Sequence, residues 1–368
     1  MNAFVVSMLL AFFPDSANPI VDKPLRQPKL EIAAISDRLP VPENTLRDGE
    51  TAHSLGTINY SRDGKYLANS FDTIIGRIGK GVISHDQIIV WDIARSKVAQ
   101  RFPPRPETGH GDIFFKDSIV AIGEKGEIRF WNVLTGKLEK TWKNPHTRQY
   151  DSVALSIDNE YLITAQYNVV VWEMATGKSN LIKIKQENPE FPTSVAFRNI
   201  RLSPSGKELF ALFRRDSKLV CFDIPSGKEL RAISRPEFGG KALDLGLKEK
   251  IIAIGEHKSG DDQGGYVLLR DSSTFKVITS VKAFEGTVFR VAFAKDDKYL
   301  IATGCDGEMS PCLMRIWELS TGKQVFGCSF EKSEMISFAV SPDSNRLAIT
   351  VRAPTVQIYD LDKLVGQK

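Results

Sequence analysis

Five histidines, His53, His85, His110, His146 and His257, and four cysteines, Cys221, Cys305, Cys312 and Cys328, are the side chains here that could hold a transition metal or haem. All five histidines fall in segments expected to be loops on one rim of the fold. A zinc or iron site needs three or more ligands converging within bonding distance, and the chain contains no paired C-x-x-C spacing. Asp261-Asp262, set among Gly260, Gly264 and Gly265, lacks the spaced carboxylates of a calcium loop, so a solvated loop is expected there. No metal or other cofactor is therefore expected. There is no G-x-S-x-G elbow, no signature around a cysteine nucleophile and no G-x-x-x-x-G-K-[ST] phosphate loop; "GEKGEIRF" from Gly123 is a β-turn. No catalytic residue is assigned.

Cys305 and Cys312 are the one close cysteine pair. If they flank a strand-to-strand loop in an oxidising compartment they could be bridged, a gain of roughly 2 to 3 kcal/mol in the chain-entropy view. Two buried thiols are the alternative.

The chain has 368 residues, 42% of them hydrophobic and 26% charged, a composition that resembles a soluble globular protein with a full core. The length suits two ordinary domains or one large all-β ring. A net charge of +4 arises from 49 basic and 45 acidic side chains spread along the sequence, with no polybasic block for nucleic acid or an anionic membrane. The start, "MNAFVVSMLLAFFPDSANP", carries an apolar run over residues 3–13, too short to span a bilayer but suited to the core of a secretory signal. Ser16-Ala17 offers small residues for cleavage, although no Lys or Arg precedes the run. The expectation is a signal peptide over residues 1–18 and a secreted or periplasmic protein, with a cytoplasmic one as alternative. No other segment could cross a membrane.

The elements that must position any site follow from a repeated phrase. "RIWELSTGKQVF" from Arg315 recurs as "IIVWDIARSKV" from Ile88, "IRFWNVLTGKL" from Ile128, "VVVWEMATGKS" from Val169 and "LVCFDIPSGKE" from Leu219. Weaker copies are "VLLRDSSTFKV" from Val267 and "VQIYDLDKLVG" from Val356. The anchors Trp91, Trp131, Trp172, Phe222, Arg270, Trp317 and Tyr359 are spaced 40, 41, 50, 48, 47 and 42 residues apart. In the first six copies a lysine follows the anchor by six residues: Lys97, Lys137, Lys178, Lys228, Lys276 and Lys323. A period of this size marks units that bury their faces only against their neighbours.

Upstream of each phrase stands an alternating segment with a tight turn, as in "TINYSRDGKYLANS" at Thr57, "SVALSIDNEYLITA" at Ser152 and "NIRLSPSGKELFAL" at Asn199. Each repeat thus reads as four short antiparallel strands. The third is apolar on both faces, as in Val169-Val170-Val171-Trp172, which implies burial between two other sheets.

Ser-Arg-Asp-Gly-Lys at Ser61, the pair Trp91-Asp92, Thr-Gly-Lys after Trp131, Trp172 and Trp317, and Gly109-His110 carry a resemblance to the WD-repeat family of β-propellers over residues 56–364. The resemblance implies an all-β, seven-bladed β-propeller of four-stranded antiparallel blades, occupying residues 55–368. The last repeat stops soon after Tyr359, so a strand from the N-terminal segment, residues 19–54, is expected to close the ring; "LEIAAIS", residues 30–36, is the candidate. In the family the anchor joins a hydrogen-bonded set with a preceding His, a Ser or Thr on the second strand and an Asp in the following turn. His53, His110 and His146 fit the first position in repeats one to three, but Lys125 and Gln166 replace the Asp in repeats two and three, while repeat four keeps Asp216. Arg270 breaks the anchor pattern, because a lone guanidinium does not belong between two sheets. Either the register slips there or Arg270 points to the rim or channel.

Insertions between second and third strands, "FDTIIGRIGKGVISHDQ", "EHKSGDDQGG" and "GCDGEMSPC", fall in repeats one, five and six. In a seven-bladed ring they share one arc of one rim, and loops on a rigid scaffold are the usual carriers of recognition. The candidate partner-binding residues are Arg77, Lys80, His85, His257, Asp261, Asp262, Asp306 and Glu308. The alternative is that long surface loops are simply tolerated there. Arg214-Arg215, and Arg101 with Arg105 in "RFPPRPETGHGD", are expected to be a solvated face. By analogy of fold the implied use is a non-catalytic, monomeric platform for a protein or peptide partner, without nucleic acid. The alternative is a propeller enzyme with hydrolase, lactonase or redox chemistry at the mouth of its central channel.

Overall fold

The computed structural model describes residues 30–32, 52–75, 83–105, 112–115, 118–122, 127–143, 152–156, 158–165, 168–182, 197–213, 218–234, 238–247, 250–259, 263–307, 310–330, 337–352 and 355–366. It is an all-β chain of four-stranded antiparallel sheets in a β-propeller arrangement. Strand β1 (Leu30–Ile32) comes first. The first blade is β2 (Ala52–Tyr60), β3 (Tyr66–Ile75), β4 (Ile83–Asp92) and β5 (Lys97–Arg105). The second is β6 (Asp112–Phe115), β7 (Ser118–Ile122), β8 (Glu127–Asn132) and β9 (Leu138–Lys143). The third is β10 (Ser152–Leu155), β11 (Tyr161–Ala165), β12 (Val169–Glu173) and β13 (Ser179–Ile182). The fourth is β14 (Phe197–Leu202), β15 (Glu208–Phe213), β16 (Leu219–Asp223) and β17 (Glu229–Ile233). The fifth is β18 (Phe238–Leu245), β19 (Ile251–Lys258), β20 (Gly264–Asp271) and β21 (Val277–Phe284). The sixth is β22 (Thr287–Ala294), β23 (Tyr299–Cys305), β24 (Cys312–Glu318) and β25 (Gln324–Ser329). The last strands are β26 (Ser337–Val340), β27 (Arg346–Arg352) and β28 (Thr355–Asp360), followed by the short helix α1 (Leu361–Val365).

The blades fall into two compact units. One holds blades three to six and α1, with β10, β14, β18 and β22 packed in succession along its inner edge. The other holds blades one and two and the last sheet, with β2 packed against both β6 and β26.

These strands correct the expected ring of seven equivalent blades. Among the described residues, six blades are built from four consecutive strands. The last sheet is of another kind, because only β26, β27 and β28 come from the C-terminal repeat. Its fourth place is taken by the three residues of β1, with Leu30 opposite Ile358 and Ile32 opposite Val356. The rest of the expected closing strand, residues 33–36, lies outside the described residues, and a ring closed by a full N-terminal strand is not what the structure shows. The C-terminal repeat supplies no fourth strand because the chain turns into α1 straight after Asp360, burying Leu361 and Leu364.

Two turn designs explain the repeated phrases. In the first, a buried serine ends the first strand and its hydroxyl accepts the amide five residues on. This is seen at Ser61 from Tyr66 (2.8 Å), Ser156 from Tyr161 (2.9 Å), Ser203 from Glu208 (3.1 Å) and Ser341 from Arg346 (2.9 Å). The turn needs one residue in the left-handed region, supplied by Gly64, Asn159, Gly206 and Ser344. In the second, the side chain after the anchor caps the following turn, as when Asn132 accepts the amides of Leu134 and Thr135, both at 2.9 Å. The same residue's amide donates to the carbonyl of the phased lysine, for example Glu173 to Lys178 at 2.9 Å. Backbone geometry therefore sets the lysine phase, and the side chains of Lys137, Lys178, Lys228, Lys276 and Lys323 are exposed.

The third strands lie in the core as their composition demands: Ile88, Ile89, Val90 and Trp91, and Val169, Val170, Val171 and Trp172, are all buried. The polar set around the anchors is uneven. Trp172 donates its Nε1–H to Thr164 Oγ1 at 3.0 Å, from the strand position two beyond the cross-strand partner Leu162. In the first blade that position holds Asn69, since Leu67 is the partner of Trp91. Asn69 is 1% exposed, and neither its amide nor Trp91 Nε1 finds a partner among the described residues.

Arg270 corrects both alternatives offered for it. Its register does not slip, because it stands opposite Ile252 with the same bulge before it that precedes Phe222 and Trp317. Nor does it point to rim or channel, for it is 4% exposed and its Nη1 donates to the carbonyl of Phe275 at 2.5 Å. Phe275 occupies the turn position that is glycine in other blades (Gly136, Gly177, Gly227, Gly322) and accepts a φ of 60° there. Its buried ring packs edge-on to Phe210, 6.2 Å between centroids. Turn and anchor have exchanged roles: the turn supplies the aromatic bulk and the anchor satisfies the turn's carbonyl.

Two outcomes test this core. Thr164→Val, which strands the buried Trp172 N–H, should cost about 1–3 kcal/mol in urea unfolding, whereas Asn69→Leu should be neutral or stabilising; equal losses would contradict the unevenness of the two anchors. The acid limb tests the serine turns. Burial opposes ionisation of Asp63 and Asp343, but hydrogen bonds from Ser61 and the Lys65 amide, and from Ser341 and the Asn345 amide, hold both carboxyls below the usual range. Such groups stabilise the fold above the unfolded value of about 3.9 and lose that effect as pH falls through their folded values. Melting temperature should hold from neutrality to about pH 5 and fall below about pH 4, and Asp63→Asn with Asp343→Asn should flatten that fall.

Candidate binding surfaces

Up-and-down blades present two rims. Turns joining strands one to two and three to four emerge on one, while loops joining two to three and the connections between blades emerge on the other. On the loop rim, the insertions prove to be extended hairpins more than loops. In the first blade β3 and β4 pair from Tyr66–Asp92 out to Ile75–Ile83, so His85 sits on a strand opposite Thr73, and Thr73 is also opposite His53. In the fifth, His257 lies on β19 opposite Gly265. The expectation that these three histidines are loop residues is corrected, because the inserted stretches continue the backbone ladder. His110 and His146 lie outside the described residues, as do Arg77, Lys80, Asp261, Asp262 and Glu308, together with Lys125, Gln166, Asp216 and Arg214-Arg215.

The structure brings His257 and Asp306 to the same short connection, Glu285-Gly286, between blades five and six. His257 donates Nδ1–H to the Gly286 carbonyl at 3.1 Å, and Asp306 Oδ1 accepts the Glu285 amide at 2.9 Å. The Gly286 amide completes the joint by donating to the Cys305 carbonyl at 3.0 Å. Arg315 donates to the Ala283 carbonyl, lies over the Phe284 ring and pairs loosely with Asp306 at 3.9 Å. Both residues chosen for recognition thus hold the connection between the two blades. Gly286 is required by the close approach: a Cβ there would lie 2.5 Å from the Cys305 carbonyl oxygen and 3.1 Å from the Gly307 nitrogen.

Cys305 and Cys312 stand directly opposite each other on β23 and β24, and all four cysteines are free thiols. Directly opposed strand residues usually keep their Cβ atoms about 4.5–5.5 Å apart, wider than the roughly 3.8 Å a disulfide takes. Burial pushes the Cys221 thiol up to about 12, so it is no nucleophile at neutral pH. Among the described residues, no three His, Cys, Asp or Glu side chains converge as metal ligands.

The turn rim carries a feature the sequence did not announce. Between blades four and five lies a cleft of about 340 Å³, floored by Phe210, Leu245 and Ile251 and edged by the hydroxyls of Ser203, Ser205, Ser272 and Ser273. Its walls are fixed. Arg231 donates to the Ser272 carbonyl at 2.9 Å, pairs with Glu208 through two 3.1 Å hydrogen bonds and lies over Phe210 and Phe275. The buried Asp297 accepts the Leu247 amide at 2.9 Å, presenting a leucine that is 54% exposed at the mouth. The only sequence hint was Phe275 in place of the turn glycine.

No protein-family model matches this chain, and no curated protein proves similar to it. The propeller arrangement therefore rests on the strands themselves.

Gly286→Ala should lower stability by about 1–3 kcal/mol, the usual cost of an added methyl group without room, read by denaturant unfolding. An unchanged midpoint would mean that the connection is not held as described.

Proposed function

We propose that this protein is a non-catalytic binding platform of the WD-repeat type, which captures a protein or peptide partner through loops on one rim. The observation that carries the reading is the joint between blades five and six. His257, Asp306 and Gly286 fix the strand ends and the connection beside which the two neighbouring insertions begin. A recognition segment rooted in a rigid framework loses less entropy on binding than one rooted in a mobile framework. A propeller with hydrolase, lactonase or redox chemistry remains the rival class, and stoichiometric uptake of calcium, zinc or haem by purified protein would favour it.

A second surface has its own support. The cleft between blades four and five joins an apolar floor to a ring of hydroxyls and an exposed leucine, the mixture that receives one apolar side chain of an extended peptide. The N-terminal apolar run places the reading in a secreted or periplasmic setting, which sequencing the mature N-terminus would decide.

Replacing residues 259–263 and 307–311 with short turns, which keeps His257 and Asp306, should leave the melting temperature within a few degrees and abolish partner capture from native extract. Leu247→Asp alone should leave capture intact if the loop rim is the site. Capture that survives the loop exchange but is lost with Leu247→Asp would move the site to the cleft, and capture that survives both would overturn the platform reading of these surfaces.

A further inference from the structure

The turn that edges the cleft on the side of blade four has lost its acid. In the serine turns of blades one and three and of the last sheet, the hydroxyls of Ser61, Ser156 and Ser341 donate to Asp63, Asp158 and Asp343, two residues on. Blade four places Ser205 there, and it shares a 3.0 Å hydrogen bond with the Ser203 hydroxyl. The one carboxylate lining the cleft, Glu208, has both oxygens engaged by Arg231 at 3.1 Å. The lining also holds a cation, Lys250, which enters no ion pair among the described residues. Beside it, the hydroxyls of Ser272 and Ser273 take part in no hydrogen bond among the described residues. The cleft therefore joins an apolar floor to one ammonium and a set of neutral donors.

The backbone that presents these groups is strained. Lys250 has a φ of 50°, and its carbonyl accepts the Ser272 amide at 2.8 Å, which ties the lysine to the serine pair. Phe275, at a φ of 60°, packs its ring against the floor residue Phe210. In blade six, Lys295, Asp296 and Asp297 take φ values of 53°, 54° and 68° in succession, and the buried Asp297 accepts the Leu247 amide at 2.9 Å. Of the eight non-glycine residues with positive φ among the described residues, five thus belong to the cleft or to the turn that braces it. Left-handed backbone is costly for residues that carry a Cβ, and it collects at ligand clamps and active sites.

We infer, resting on the reading of this cleft as a peptide site, that its ligand is the C-terminal residue of a polypeptide. The apolar side chain of that residue lies on the floor of Phe210, Leu245 and Ile251, and its α-carboxylate takes hydrogen bonds from Lys250 and from the Ser272 and Ser273 hydroxyls. An ammonium and neutral hydroxyls, with no free acid among them, are donors suited to a carboxylate. Reach favours a chain terminus over an acidic side chain. In an extended peptide the side chain next to the apolar one points the opposite way, and the following one stands about 6.6 Å further along. A cleft of about 340 Å³, at the small end of ligand pockets, takes both groups when they share one Cα.

Fluorescence anisotropy of the full chain with three N-terminally labelled probes tests the assignment: a Gly-Gly-Gly-Leu peptide with a free C-terminus, the same peptide amidated, and an amidated peptide with an internal leucine and a glutamate two residues on. The free acid should bind saturably and its amide about tenfold more weakly, the usual worth of a hydrogen bond to a charged group. Lys250→Gln should bring the acid down to the level of the amide. Ser205→Asp restores the acid of the other serine turns, so it should leave the melting temperature unchanged while weakening the free acid and not the amide. Should Lys250→Gln fold poorly, this second variant decides the matter. Acid and amide bound equally, with both lost in Leu247→Asp, would overturn the C-terminal assignment and leave the peptide reading of the cleft standing; saturable binding of no probe would overturn both. A preference for the acid that neither the Lys250 nor the Ser205 variant moves would overturn the assignment of the carboxylate to this cleft. Tightest binding of the internal glutamate would overturn it in favour of an acidic side chain, and a dimer of the protein alone that Leu247→Asp dissolves, in favour of a second copy.

Discussion

A strand that is apolar on both faces cannot sit at a surface, and that constraint organises this protein. Val169 to Trp172 and Ile88 to Trp91 are buried on both sides, which a single sheet with one wet face cannot provide. The third strand of each blade needs a sheet on either side of it. In blades three and four the result is one continuous cluster, Ala154, Ile163, Val169 and Val171 with Phe197, Ile200, Leu209 and Phe222. In blades five and six another joins Ala253, Val267 and Leu269 with Val291, Leu300 and Trp317. Covering about 25 cal/mol for each Å² of apolar surface removed from water, such interfaces outweigh any turn or surface ion pair. The turns add register: where a serine hydroxyl and a capping side chain fix the two hairpins of a blade, as in blades one, three and four, a slip by one residue would expose every buried strand.

This hierarchy explains what the sequence made legible. Periodicity reports the large term, so third strands, most of their anchors and the tight turns upstream of them were readable from residue types alone. The phased lysines were readable too, although their cause is the backbone bond to the preceding hairpin and not the side chain. What escaped were exchanges between positions. Arg270 looked like an error because an anchor was judged by its own side chain, when the aromatic bulk had moved to Phe275 in the turn. The seventh unit was counted from its phrase at Tyr359, but a phrase guarantees only a third strand. Whether a fourth follows depends on the next residues, and here Leu361 and Leu364 at helical spacing bury themselves in α1.

The candidate surfaces were legible to a lesser degree, for a related reason. Insertions stand out in an alignment of repeats, so the loop rim was found, but strand pairing continues wherever side chains permit. His85 and His257 consequently became ladder residues, and His257 and Asp306 became fasteners of a connection. The cleft between blades four and five arises from packing at a joint, where Arg231 braces two aromatic rings. No linear motif encodes it.

The inner edge poses the reverse problem, since its residues were visible and their pairing was not. Arg201 and Arg290 lie inside segments that read as ordinary alternating strands, one polar position among apolar ones. A propeller tolerates one such residue per blade because the first strand's inner side still meets water, and a balanced wall would pair each base with an acid from the neighbouring blade. Arg201 with Asp244 is such a pair. Burial and the Arg201 charge hold the Arg290 guanidinium down to about 10, against the pull of the same Asp244 carboxylate.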